Sequence, residues 1–218
     1  SNDDIKIYDL KSKVVLPGLI DFHVHMESQS GGQDRYIRRF QDNKADVAFR
    51  SSVIAKKTLM SGFTTVRDVG GSGVNISLRN AINNGVIPGP RIFTSGKTIA
   101  TTGGHGDRTN GLRDDFIDDP GPEQGVVNSI SVARKAVRYR YKNGADLIKI
   151  TATGGVMSLA KNGQNPQFTE EVIREIVKTA DDYGMHVAAH AHGDEGMFRA
   201  VNAGVTTVSY THLRAHET

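Results

Sequence analysis

One pattern recurs along the chain and constrains its fold more than any other feature: an amphipathic helix, a glycine where that helix should end, then a short β-branched run. It appears as "KKTLMSGFTTVRDV" around Gly62, "LRNAINNGVIPGPRIFTS" around Gly85, "VRYRYKNGADLIKI" around Gly144, "VKTADDYGMHVAAH" around Gly184 and "FRAVNAGVTTV" around Gly204. Glycine just past the last helical turn tolerates the left-handed backbone of a C-cap, and the strand follows within a few residues. The strongest helix is expected from Thr169 to Tyr183. Thr169 stands at its N-cap, Glu170 and Glu171 lie in the first turn where the dipole favours acid, and Val172, Ile173, Ile176 and Val177 form one buried face. Strands alternating with helices run parallel, which leaves an open doubly wound sheet or a closed eight-stranded barrel.

The polar residues decide between these. In a closed barrel, functional side chains sit at the C-terminal ends of several different strands. Here those ends carry His23 and His25, Arg67 and Asp68, Lys149, and His190. An open nucleotide-binding sheet would concentrate its signature in the first βα turn. The nearest candidate, "VGGSGVN" from Val69 to Asn75, has Gly71 and Gly73 but Ile76 where the third glycine belongs. The expected fold is therefore α/β, a (β/α)8 TIM barrel.

Composition narrows the function. The 27 basic and 24 acidic residues are spread without a basic block and there is no tryptophan, which argues against a nucleic-acid partner. No apolar run approaches the roughly 18 residues of a membrane span, and nothing at the N-terminus resembles a signal peptide. The cytoplasm is favoured, with localisation left open because the true N-terminus looks to be missing. With no cysteine, any metal must be held by nitrogen and oxygen ligands.

Residues two apart on a strand share a face, so His23 and His25 in "VLPGLIDFHVHMES" project together while Phe22 and Val24 point the other way. Two imidazoles from one strand end form half of a metal site; an isolated His-x-His is more often a pair of hydrogen-bonded structural histidines. The same alternation in "GADLIKITATGG" puts Ile148 and Ile150 against helices and Lys149 toward the barrel interior. A buried ammonium needs a partner, Asp68 being one option, or a lowered pKa. The neutral amine can also react with carbon dioxide to give an anionic carbamate, which beside a His-x-His is the favoured outcome. In "HVAAHAHG", His190 closes a strand and is the candidate ligand, whereas His186 sits at the strand's start and is structural. His192, just past the strand, is balanced between facing substrate and lying in a solvated loop.

These residues carry a resemblance. "VLPGLIDFHVH", "DLIKITATGG" and "VAAHAHGDEGMFRAVNAGVTT", in this order, resemble the amidohydrolase superfamily, specifically its imidazolonepropionase-like and Xaa-Arg/Lys/Pro dipeptidase-like branch, from Ile5 to Thr207. The resemblance implies two divalent ions, zinc favoured, with His23 and His25 on one, His190 on the other and a carboxylated Lys149 bridging them. It implies that His105, in "TTGGHGDRTNG", contacts the substrate carbonyl as a catalytic and substrate-binding residue, with His192 a second substrate-binding candidate. The reaction implied is hydrolysis of a C–N bond in a small amide or dipeptide-like substrate by a metal-bridging hydroxide, in a possible homo-oligomer. A mononuclear deaminase of the same superfamily, against which Lys149 argues, and a non-catalytic metal- or ligand-binding barrel are the alternatives.

By the same resemblance, residues 1–17 correspond to the last strand of a small β-sandwich domain and 18–207 to barrel strands one to five and the start of the sixth. A histidine after the sixth strand and an aspartate after the eighth are not in this chain, so the span is expected to be an inactive fragment. Val208–Thr218, "VSYTHLRAHET", is identical to the translation of a transposase adapter used in short-read library preparation, and is expected to be a sequencing artefact; His212 and His216 are set aside with it.

Overall fold

The computed structural model describes residues 6–28, 37–38, 40–116, 119–156, 158–159 and 161–209. Strands and helices alternate: β1 (Leu19–Val24), α1 (Lys44–Met60), β2 (Phe63–Asp68), α2 (Val74–Asn83), β3 (Arg91–Thr94), α3 (Ile130–Lys142), β4 (Leu147–Thr151), α4 (Glu170–Asp181), β5 (His186–His190), α5 (Asp194–Asn202) and β6 (Thr207–Ser209). All five glycines of the repeat have positive φ, between 67° and 94°. At four of them the next amide reaches back to close the helix, as Ala145 does to the Arg140 carbonyl at 3.1 Å and Met185 to Ala180 at 3.0 Å. Thr169 occupies the N-cap position of α4 without making a side-chain cap bond.

Every strand pair is parallel and follows chain order, β1-β2-β3 and β4-β5-β6. The two halves join where the Asp146 amide donates to the Thr94 carbonyl at 2.8 Å. There Ile99, beyond the end of β3, pairs beside β4, donating to the Lys149 carbonyl and accepting from the Thr151 amide. This is the partial (β/α)8 barrel expected. Between the second half of the sheet and its helices, Ile148, Ile150, Ile173, Ile176 and Val187 are almost wholly buried. Each such side chain contributes about 1.5–3 kcal/mol, and the face opposite Ile148 and Ile150 is where Lys149 points. No helix among the described residues is long and apolar enough to cross a membrane.

Residues 6–18 contain no strand: Lys11 takes positive φ, Lys13 closes a turn on Leu10, and Ile7, Val14, Val15 and Leu16 lie exposed. A strand exists only where a neighbour satisfies its backbone groups, and no described residue pairs with this segment. Of the adapter-like tail, Val208 and Ser209 belong to β6, while 210–218, with His212 and His216, lie outside the described residues.

Candidate active site

His23, His25, Lys149, His190 and His105 line one cavity of about 400 Å³ at the C-terminal ends of the strands. Sequence separation between its walls exceeds a hundred residues; parallel strands in register bring all their C-terminal ends to one side. His23 and His25 meet edge to face with ring centroids 5.3 Å apart. The Nδ1–H of His25 donates to the Gly70 carbonyl at 2.9 Å. A carbonyl can only accept, so Nε2 is the nitrogen with the lone pair. His190 takes the opposite tautomer, because its Nε2–H donates to the Gly154 carbonyl at 2.8 Å and Nδ1 carries the lone pair.

Lys149 is buried, 3 % exposed, and among the described residues its Nζ has no hydrogen-bond partner. The hydroxyl of Thr151, two residues on and lining the same cavity, is likewise without one. Burial first and the Arg67 guanidinium second pull the Lys149 pKa down to about 7. Burial also lowers His23 to about 3, helped by Lys149, His25 and Arg67, and His190 to about 3, helped by His105 and then by Lys149 and His192. The cluster therefore favours neutral imidazoles, the form that binds metal, and a neutral amine, the form that reacts with carbon dioxide.

Asp68 does not pair with Lys149. Val66 and Asp68 share the helix-facing side of β2, whereas Lys149 faces the interior, so alternation puts the carboxylate and the amine on opposite sides of the sheet. Asp68 instead accepts hydrogen bonds from the amides of Met26 and Gly70.

His105 reaches the site from the β3–α3 loop. Its amide donates to the Gln167 carboxamide at 2.8 Å, its Nδ1 lies 2.6 Å from the Ser158 hydroxyl, and its ring stacks on His190 at 4.3 Å. His192 meets His190 edge to face, centroids 4.9 Å apart. His186 is exposed at the start of β5.

Sequence reasoning missed the supports. Glu27 accepts from the Ser72 and Asn75 amides at 2.6 and 2.8 Å, joining the end of β1 to the start of α2. Asp107 accepts from Gly103 and from both the amide and the hydroxyl of Thr109, shaping the loop that carries His105. The spacing of Asp107 and Thr109 in "GDRT" is a local turn signal that could have found the second; nothing local marks the first.

Among the described residues no three His, Asp or Glu side chains converge to hold an ion by themselves. The donor set nevertheless fits a metal centre that includes a modified lysine: histidines with defined tautomers line the cavity with a buried amine lacking a partner. Parallel βα units that bring nitrogen donors together at their C-terminal ends define a (β/α)8-type barrel with a polar site at its C-terminal face. The chain belongs to the amidohydrolase family, whose profile matches residues 14–218, and whose members are generally metal-dependent.

Among curated proteins, the ochratoxinase of Aspergillus niger is 32% identical over 212 residues, covering 90% of this chain and 43% of its own length. Among solved structures, a Xaa-Pro dipeptidase with methionine bound in its active site is 55% identical, with a TM-score of 0.83 over 88% of this chain and 47% of that one. A prolidase complexed with N-methylphosphonate-L-proline is 37% identical, with a TM-score of 0.81 over 92% and 49%. The chain thus spans less than half the length of these relatives.

Proposed function

We propose that the whole protein is a metal-dependent hydrolase of C–N bonds, acting on amide or dipeptide-like substrates. The observation that carries the reading is Lys149, an amine buried without a partner in a cavity lined by His23, His25, His190 and His105. Its Nζ would attack carbon dioxide, form the N–C bond and release one proton, leaving a carbamate with two oxygens. His23 and His25 would hold one divalent ion, His190 the second, and the carbamate would span them. When bound, such ions, zinc by preference, lower the pKa of a water and polarise a carbonyl. His105, stacked on His190 and tethered by Ser158 and Gln167, would orient the substrate carbonyl. His192, in edge-to-face contact with His190, would be a second substrate-binding residue.

The domain reading is also proposed: residues 1–17 would supply a strand to a separate small domain when strands of that domain pair with them, 18–207 form the early part of the barrel, and 208–218 are the adapter-derived tail. The relatives' names support an amide or dipeptide-like substrate. The full-length gene product, reconstituted with zinc and bicarbonate, is to be screened against N-acyl amino acids and dipeptides. Hydrolysis that tracks bound zinc supports the proposal; a protein that binds no zinc and cleaves none of these sinks it.

A further inference from the structure

Asp68 is wholly buried, and among the described residues no lysine or arginine forms an ion pair with it. An unpaired buried carboxylate is costly, so its placement needs an explanation. The two oxygens serve two different chain segments. One accepts the amide of Met26 at 3.2 Å, immediately after His25; the other accepts the amide of Gly70 at 3.3 Å, in the loop after β2. The carbonyl of that same Gly70 accepts the Nδ1–H of His25 at 2.9 Å.

We propose that Asp68 is a positioning residue for His25: by clamping Met26 and Gly70 together it holds the Gly70 carbonyl against Nδ1 and so commits Nε2 to carry the lone pair. Its importance for activity rests on the metal-hydrolase reading above; its effect on the His25 tautomer does not. Glu27 anchors the far end of the same loop through Ser72 and Asn75. Loss of Asp68 should therefore release Gly70 while the loop stays attached.

The test uses the full-length gene product with 15N-labelled histidine, free of metal, and His25→Gln to assign the resonance. In the wild type, His25 should be protonated on Nδ1; in Asp68→Ala and Asp68→Asn a second, Nε2-protonated population should appear. Zinc affinity, measured by chelator competition, should fall about 10–100-fold, the usual loss when the support of a metal-binding histidine is removed. Should Asp68→Ala not fold, Asp68→Asn, which keeps one acceptor oxygen, carries the same readouts. A purely structural role would lower the melting temperature and leave the tautomer alone, and a folded variant with the wild-type tautomer overturns the proposal. So does a wild-type His25 protonated on Nε2. If the wild type binds no zinc, the hydrolase reading fails while the tautomer still decides the role of Asp68.

Discussion

The rings of His105 and His190 stack with centroids 4.3 Å apart and planes inclined by 18°, although one comes from a loop after β3 and the other from the last position of β5. Gly155 makes the stack possible. A Cβ there would sit 2.9 Å from His105 Cε1 and 2.9 Å from His190 Nε2. Gly155→Ala should push the rings apart and misalign both. Because displacements of about 1 Å can cost roughly a hundredfold in rate, kcat/KM should fall by at least about tenfold with the fold retained. Unchanged kinetics in the variant would show that the stack is incidental.

On the proposed reading, Lys149→Ala should abolish metal retention and activity together, because it removes the amine that would become the bridging carbamate. Added short carboxylic acids should restore part of both by placing a carboxylate in the vacated space. Metal content by elemental analysis is the check, and a variant with wild-type metal and turnover would rule out the carbamate.

The same lysine predicts a pH dependence. Its folded pKa is lowered to about 7 by burial, whereas in the unfolded chain it titrates near the ordinary lysine value of 10.5. Between these values the unfolded state binds a proton that the folded state does not, so stability rises as pH rises across the window. Below about pH 7 both states are protonated and the full cost of burying the charge is felt. In metal-free, bicarbonate-free protein, Lys149→Met should therefore be more stable than wild type at pH 7, by on the order of a few kcal/mol, and this advantage should shrink toward pH 10. Denaturant melts of both proteins along the pH series measure it; a constant difference contradicts it.

Arg140, 3 % exposed, has no acidic partner among the described residues: its guanidinium donates to the carbonyls of Lys97 at 2.7 Å and of Pro122 and Glu123 at 3.4 Å. It thereby pins both ends of the loop carrying His105 to α3. Arg140→Met should leave these carbonyls unsatisfied and destabilise by about 2–4 kcal/mol, with proteolytic cleavage appearing between residues 95 and 129. Wild-type protease resistance would remove the loop-clamp role.

His23 Nδ1 lies 3.0 Å from the hydroxyl of Ser209, a residue of the adapter-like tail. Re-amplifying the locus from source DNA should replace the codons after Val208 with ones encoding a metal-binding histidine near position 210, and this contact would then be made by a different residue. A template that encodes "SYTHLRAHET" and a stop would return His212 to the list of candidate ligands.

Local periodicity determined much of this protein from sequence alone. A glycine after each helix set where helices end and strands begin, and a period of two turned Lys149 inward and put His23 and His25 together, because these are properties of neighbouring backbone units. Tertiary structure decided the rest. It set Asp68 on the helix-facing side against Met26 and Gly70, where simple charge pairing had suggested Lys149, and brought His192 edge to face with His190. It also brought His105 across 85 residues of chain to stack on His190. Loop trajectories and strand partners depend on which distant backbone groups are available to bond, and no local spacing in the chain encodes that.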